Sequence, residues 1–148
     1  MREPSSASAR VLFVEDDAGL AGIVVRHLRA CGHDAQAAET AEAAQSLFAA
    51  GLRPTIVLLD INLPGASGWD LLRSQAFLDA GSPPVYVISA TNIAPSRLHE
   101  FRVAGYLPKP FAMSTLVEIV GRCASNAAGT EAAGSPQETT PSDSETLI

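Results

Sequence analysis

Thr55-Ile56-Val57-Leu58-Leu59-Asp60 is an apolar run that ends on a carboxylate. It shows no polar alternation, as expected of a parallel strand covered by helices on both faces. Thr55–Leu59 therefore reads as an inner strand, with Asp60 at its C-terminal end. The same pattern recurs outward along the chain. Val11–Val14 is a compact apolar run that leads into Glu15-Asp16-Asp17, and Pro84–Ser89 is another strand. Asp34–Ala38 is a weaker one, because alanine has low β propensity. Tyr106 and Leu107 lie on a short fifth strand.

Helical stretches alternate with these runs. Ala18–Ala30 carries Leu20, Ile23, Val24 and Leu28 near helical spacing, and Gly32 then supplies a stop. Thr40 is placed to cap a helix Ala41–Ala50, followed by Gly51. Leu63-Pro64-Gly65 breaks the chain before a helix Gly68–Ala80. Ala94–Val103 reads as a short helix, capped near Ser96 or preceded by Pro95, which limits its start. Met113–Ala124 is the last helix, with Leu116, Ile119 and Val120 on its apolar face. Five strand–helix units in alternation imply an α/β fold with a parallel sheet and helices on both faces.

The 148 residues are 47% hydrophobic, which supplies a core and excludes wholesale disorder. The net charge of −6 does not favour a nucleic-acid backbone, which needs clustered Lys and Arg. Cys31 and Cys123 have no metal-ligand spacing and read as reduced thiols. His27, His33 and His99 are scattered and read as structural or exposed. Met1–Arg10 is polar and lacks an apolar core, and no apolar run approaches the ~20 residues that span a bilayer. The expectation is a cytoplasmic protein without a membrane segment. Residues 1–9 are expected to form a flexible segment, 10–124 the folded domain and 125–148 a disordered acidic tail. No Lys or Arg follows Arg122, and the tail carries Glu131, Glu138, Asp143 and Glu145. With those four of the 16 acidic groups removed, the body holds 12 acidic against 10 basic residues.

In an open α/β sheet, ligands bind beyond the C-terminal ends of the strands. Glu15 and Asp16 follow the first strand, Asp60 the third, Ser89 ends the fourth, and Lys109 follows the fifth. Three carboxylates in one crevice repel each other. An oxygen-only donor set of this size suits Mg²⁺, which takes one or two carboxylates plus phosphate oxygens and keeps several waters. Lys109 can pair with a carboxylate or a phosphoryl group, and Ser89 can donate to a phosphoryl oxygen. Such a site neutralises a phosphoryl group in transfer, and an Asp carboxylate is a known covalent phosphoryl acceptor. Singly, each residue reads as a helix cap, a solvated loop residue or a surface charge. Asp17 is read as a helix-start residue.

Val11-Leu12-Phe13-Val14-Glu15-Asp16-Asp17, Val57-Leu58-Leu59-Asp60-Ile61-Asn62-Leu63-Pro64-Gly65 with Gly68, Val87-Ile88-Ser89-Ala90 and Tyr106-Leu107-Pro108-Lys109-Pro110-Phe111 resemble, in order, the four signature stretches of response-regulator receiver domains. The resemblance covers about Arg10 to Ala124. It implies a flavodoxin-like (CheY-like) doubly wound sheet of five parallel strands in the order 2-1-3-4-5. It implies Asp60 as phosphoryl acceptor from a sensor histidine kinase or a histidine phosphotransfer protein. By the same resemblance Asp16 is a direct Mg²⁺ ligand, Glu15 acts through metal-bound water, and Asn62 lends its backbone carbonyl. Mn²⁺ could take the place of Mg²⁺. Ser89 matches the hydroxyl that moves toward the phosphoryl group, Tyr106 the aromatic that turns inward with it, and Lys109 the family's lysine, before a cis Lys109–Pro110 bond. Asn62 and Thr91 match positions that tune dephosphorylation.

One departure stands out. The stretch from Ser89 to Tyr106 is short, and the family's Gly-Ala-Asp before the aromatic is reduced to Ala104-Gly105. It falls on the family's usual output face, the fourth helix and fifth strand, and so bears on the partner surface and dimer mode. The expected role is a stand-alone receiver that modifies only itself, is not an enzyme on a separate substrate, contacts no nucleic acid directly and acts through an unknown downstream protein or a homodimer. A phosphorylation-independent interaction module on the same fold is the alternative. A flavodoxin-type cofactor carrier is disfavoured, since Glu15-Asp16-Asp17 would repel a phosphate without metal.

Overall fold

The structure, a computed structural model, describes residues 8–129 and 137–138. Its strands are β1 (Arg10–Val14), β2 (Asp34–Ala38), β3 (Ile56–Asp60), β4 (Val85–Ser89), β5 (Gly105–Pro108) and β6 (Gln137–Glu138). Its helices are α1 (Ala18–Ala30), α2 (Ala41–Ala49), α3 (Gly68–Arg73), α4 (Gln75–Asp79), α5 (Pro95–Glu100) and α6 (Met113–Gly129). All strands pair in parallel, in the order β2-β1-β3-β4-β5-β6. The 2-1-3-4-5 order is as expected, and β6 adds a short strand outside β5. Among the described residues no helix is long and apolar enough to cross a membrane.

Every residue of β3 and β4 is buried, as the unbroken apolar runs demand. Successive strand side chains point to opposite faces, so each strand feeds two cores. Val11, Phe13, Ile56, Leu58, Ile88 and Leu107 pack with residues of α1 and α6 on one face. Leu12, Val14, Val57, Leu59, Val87 and Tyr106 pack with residues of α2, α3 and α4 on the other. The loops after the strands thus collect along one sheet edge.

Local signals explain most boundaries. Asp17 caps α1, accepting the Leu20 N–H, and Thr40 caps α2, accepting the Ala43 N–H. The expected single helix Gly68–Ala80 is instead two. Ser74 is extended (φ −72°, ψ 149°) and serves both ends. Its hydroxyl donates to the Leu71 carbonyl at 2.7 Å and accepts the Phe77 N–H at 3.2 Å. A serine competing for main-chain groups in this way interrupts a helix. Pro95 occupies the first turn of α5, which ends at Glu100, before the expected Val103.

No residue of α5 is fully buried. The helix is held where Trp69 stacks on Phe101 with ring centroids 4.7 Å apart. The Arg97 guanidinium lies 5.3 Å from the Trp69 ring and that of Arg73 lies 4.9 Å from Phe101. Helix α6 runs to Gly129, past the boundary expected at Ala124. Apart from Gln137–Glu138, the tail from 130 onward lies outside the described residues, as do 1–7 of the expected N-terminal flexible segment. Cys31 and Cys123 are free thiols.

Ser8 and Ala9 are tied to the domain. Ser8 donates to the Gly32 carbonyl, and the Ala9 N–H donates to His33 Nδ1 at 3.0 Å. An accepting Nδ1 must be unprotonated, and burial holds the His33 imidazole below its usual pKa. The unfolded chain therefore binds a proton more readily at this group. Its contribution to stability is present above the ordinary histidine pKa and is lost as pH falls through the folded-state value. The urea midpoint should drop between about pH 7.5 and pH 5.5, and less so in His33→Gln. Parallel pH profiles for the two proteins would contradict this.

Gly68 opens α3 directly against the C-terminal end of β3. A Cβ there would lie 2.8 Å from Ile61 Cδ1 and 3.0 Å from both the Asp60 carbonyl oxygen and Ile61 Cα. Two of those three atoms are backbone and cannot swing away. Gly68→Ala should therefore cost about 1–3 kcal/mol of stability and displace the Asp60–Ile61 peptide. A denaturation midpoint equal to that of the native protein would show that α3 can shift without strain.

Candidate functional site

Glu15, Asp60, Ser89 and Lys109, distant in sequence, meet at the C-terminal edge of the sheet. Glu15 follows β1 and is 1% exposed, and Asp60 ends β3 and is 4% exposed. The Lys109 ammonium bridges them, donating to Glu15 Oε1 at 2.7 Å and to Asp60 Oδ2 at 3.1 Å. The second oxygen of each carboxylate takes a backbone N–H, that of Asp17 at Glu15 and that of Asn62 at Asp60. Lys109 is placed by its own N–H, which donates to the Ser89 carbonyl, and by the cis Lys109–Pro110 bond after β5.

The electrostatics follow from burial. Desolvation pushes the Glu15 carboxyl above its ordinary range, reinforced by the Asp60 charge and opposed by Lys109 and the Asp17 N–H. For Lys109, desolvation works against the charge, but the hydrogen bonds and charges of Glu15 and Asp60 outweigh it and hold the ammonium above its usual pKa. Among the described residues Asp16 joins the pair as an exposed third carboxylate, with oxygens of the three within 4.8 Å of one another. One ammonium does not balance three carboxylates, and the donors are all oxygen. That set fits a hard divalent cation such as Mg²⁺.

A second constellation adjoins the first. Ser89 is fully buried at the end of β4, and its Oγ lies 2.9 Å from Thr91 Oγ1. It also accepts from the Thr91 N–H at 3.0 Å and from Asn62 Nδ2 at 3.3 Å. The Tyr106 hydroxyl donates to the Thr91 carbonyl at 3.2 Å, with the ring buried in the core. Asn62 thus touches the site through its side chain, an interaction that the sequence did not indicate. Thr91 connects Ser89 to Tyr106. A second hydroxyl two residues beyond Ser89 was the visible signal for it.

With this geometry in hand, comparison with known proteins is specific. The sequence profile of the response regulator receiver domain matches residues 11–121. The transcriptional regulatory protein PrrA of Mycobacterium tuberculosis is 35% identical over 113 residues, covering 74% of this chain and 47% of PrrA. The DNA-binding response regulator MtrA of Mycobacterium leprae is 38% identical over 110 residues, covering 73% of this chain and 48% of MtrA. The chain spans about half the length of these curated relatives. The non-phosphorylated HemR receiver domain from Leptospira biflexa superposes with a TM-score of 0.67 at 30% identity, over 78% of this chain and 94% of that one. The chemotaxis protein CheY4 of Vibrio cholerae, at 21% identity and a TM-score of 0.70 over 79% of this chain and 99% of its own, shares the fold.

Proposed function

This chain belongs to the response regulator receiver domain family, and from that premise we propose that Asp60 accepts a phosphoryl group from a phosphohistidine on a partner kinase or phosphotransfer protein, with Mg²⁺ held by Glu15, Asp16 and Asp60. The observation that carries this reading is the Lys109 ammonium set between two buried carboxylates, with exposed Asp16 beside them. Two-component partners supply such donors.

An Asp60 carboxylate oxygen forms a bond to phosphorus as the phosphorus–nitrogen bond of the donor breaks. The electron pair leaves on the donor imidazole, which takes a proton, and Asp60 becomes an acyl phosphate. Glu15, Asp16, Asp60 and the Asn62 backbone carbonyl would hold Mg²⁺, which when bound would supply charge neutralisation for the transfer. Lys109 already contacts Asp60 Oδ2 and passes from the carboxylate to a phosphoryl oxygen as charge moves outward. Ser89 donates to another phosphoryl oxygen once its contacts with Thr91 and Asn62 yield. Release of Thr91 loosens the carbonyl that holds the Tyr106 hydroxyl, which carries the change to a protein-binding surface. The chain acts on itself, by self-phosphorylation and autodephosphorylation, and not on a separate substrate. The acidic balance supports protein partners over direct nucleic-acid contact, although MtrA is named as DNA-binding.

Incubation with acetyl phosphate should add the mass of one phosphoryl group in the presence of Mg²⁺ and none with excess chelator. No adduct under either condition would leave a phosphorylation-independent interaction module as the reading.

A further inference from the structure

The fifth strand is where a receiver of this order would end its sheet, yet Gln137–Glu138 pairs with it in parallel, Gln137 opposite Gly105 and Glu138 opposite Tyr106. The Ala104 N–H points inward to the Val85 carbonyl of β4. Backbone alternation along a strand then turns the main-chain groups of Gly105 and Leu107 outward, to the open side. Uncovered, these groups would be a template for any extended chain. Glu138, opposite Tyr106, is placed to serve both.

We propose that the C-terminal segment is a displaceable cover for this edge: Gln137–Glu138 occupies the outer side of β5 in cis, and a partner that adds a strand there must first displace it. Three observations favour the chain's own tail as occupant. The connection β5–α6–β6 repeats the strand–helix–strand unit of the rest of the domain, so a parallel strand is its natural continuation. Seven residues separate Gly129 from Gln137, a connection that can reach at most about 25 Å. In the sequence, Pro136 and Pro141 bracket the segment, and proline has no N–H with which to extend a ladder.

The same features keep the cover weak. The pairing is two residues long, and Glu is depleted in strands. It lies on the strand that carries Tyr106 and leads to Lys109, so whatever competes with it acts next to the switch constellation. This inference goes beyond the phosphorylation reading and does not depend on it.

The test uses the full-length, unphosphorylated chain without Mg²⁺ and follows hydrogen exchange of individual amides by NMR. Glu138→Pro removes the donor at the central position and lies outside the domain core, so folding is preserved. The Leu107 amide should exchange roughly threefold to tenfold faster in Glu138→Pro than in the native chain, while amides of β3 are unchanged. A conservative Glu138→Gln should keep the native rate. Equal Leu107 rates in the native chain and Glu138→Pro would overturn the proposal. So would protection that rises with protein concentration, since a second copy would then be the occupant.

Discussion

Asp60→Asn is expected to abolish phosphoryl incorporation from acetyl phosphate while leaving a folded domain. The substitution is nearly isosteric but removes the nucleophilic charge, and an amide oxygen does not form the acyl phosphate. Its structural cost can also be estimated. Both Asp60 oxygens accept hydrogen bonds, Oδ1 from the Asn62 N–H at 2.9 Å and Oδ2 from Lys109 at 3.1 Å. Asparagine offers only one acceptor, so in either orientation its amide nitrogen faces a donor. A buried mismatch of this kind costs about 1–3 kcal/mol, offset in part by relief of repulsion among the three carboxylates. Intact-mass spectrometry with Mg²⁺ and acetyl phosphate, alongside a thermal melt, separates the two effects. Loss of the adduct with a cooperative melt is the expected pair of results. An adduct that persists in Asp60→Asn would move the acceptor elsewhere, with Asp16 the next carboxylate to examine.

Much of this was legible in the sequence because burial on both sheet faces writes itself into unbroken apolar runs. Ile56–Leu59 and Val85–Ile88 could hardly be anything but inner strands, and the strand ends then named Glu15, Asp60, Ser89 and Lys109 as neighbours. The capping roles of Asp17 and Thr40 were equally plain, since each is a short oxygen-bearing side chain just before a helical pattern. What stayed hidden depends on three-dimensional competition. Ser74 splits α3 from α4 because its hydroxyl reaches back to Leu71, while periodicity alone ran through it. The Asn62 side chain meets Ser89 only because β3 and β4 are adjacent. Strand β6 has almost no pattern of its own, being two polar residues in an acidic stretch, and it exists by virtue of the edge it covers. The short Ser89–Tyr106 stretch reads as bearing on the partner surface. Its outcome is a six-residue α5 held by the Trp69–Phe101 stack.

Lys109→Met should separate the charge balance of the site from its fold. Methionine keeps much of the side-chain volume and removes the ammonium between Glu15 and Asp60, whose side chains are 1% and 6% exposed. Removing one partner of a buried ion pair costs about 3–5 kcal/mol. Because the lysine side chain is 20% exposed, solvent screening lowers the expected loss to roughly 2–3 kcal/mol. Phosphorylation by acetyl phosphate should slow by about 10²–10³-fold, the usual effect of deleting a group that stabilises transition-state charge. The diagnostic measurement is the gain in urea stability on adding Mg²⁺. With the ammonium gone the carboxylates hold a divalent cation more tightly, so linkage predicts a larger Mg²⁺-dependent gain in Lys109→Met than in the native protein. An equal gain in both would mean that the cation does not share the field of Lys109. The cation would then bind away from Glu15, Asp16 and Asp60, and the role proposed for Mg²⁺ at this cluster would fall even if Asp60 proved to be phosphorylated.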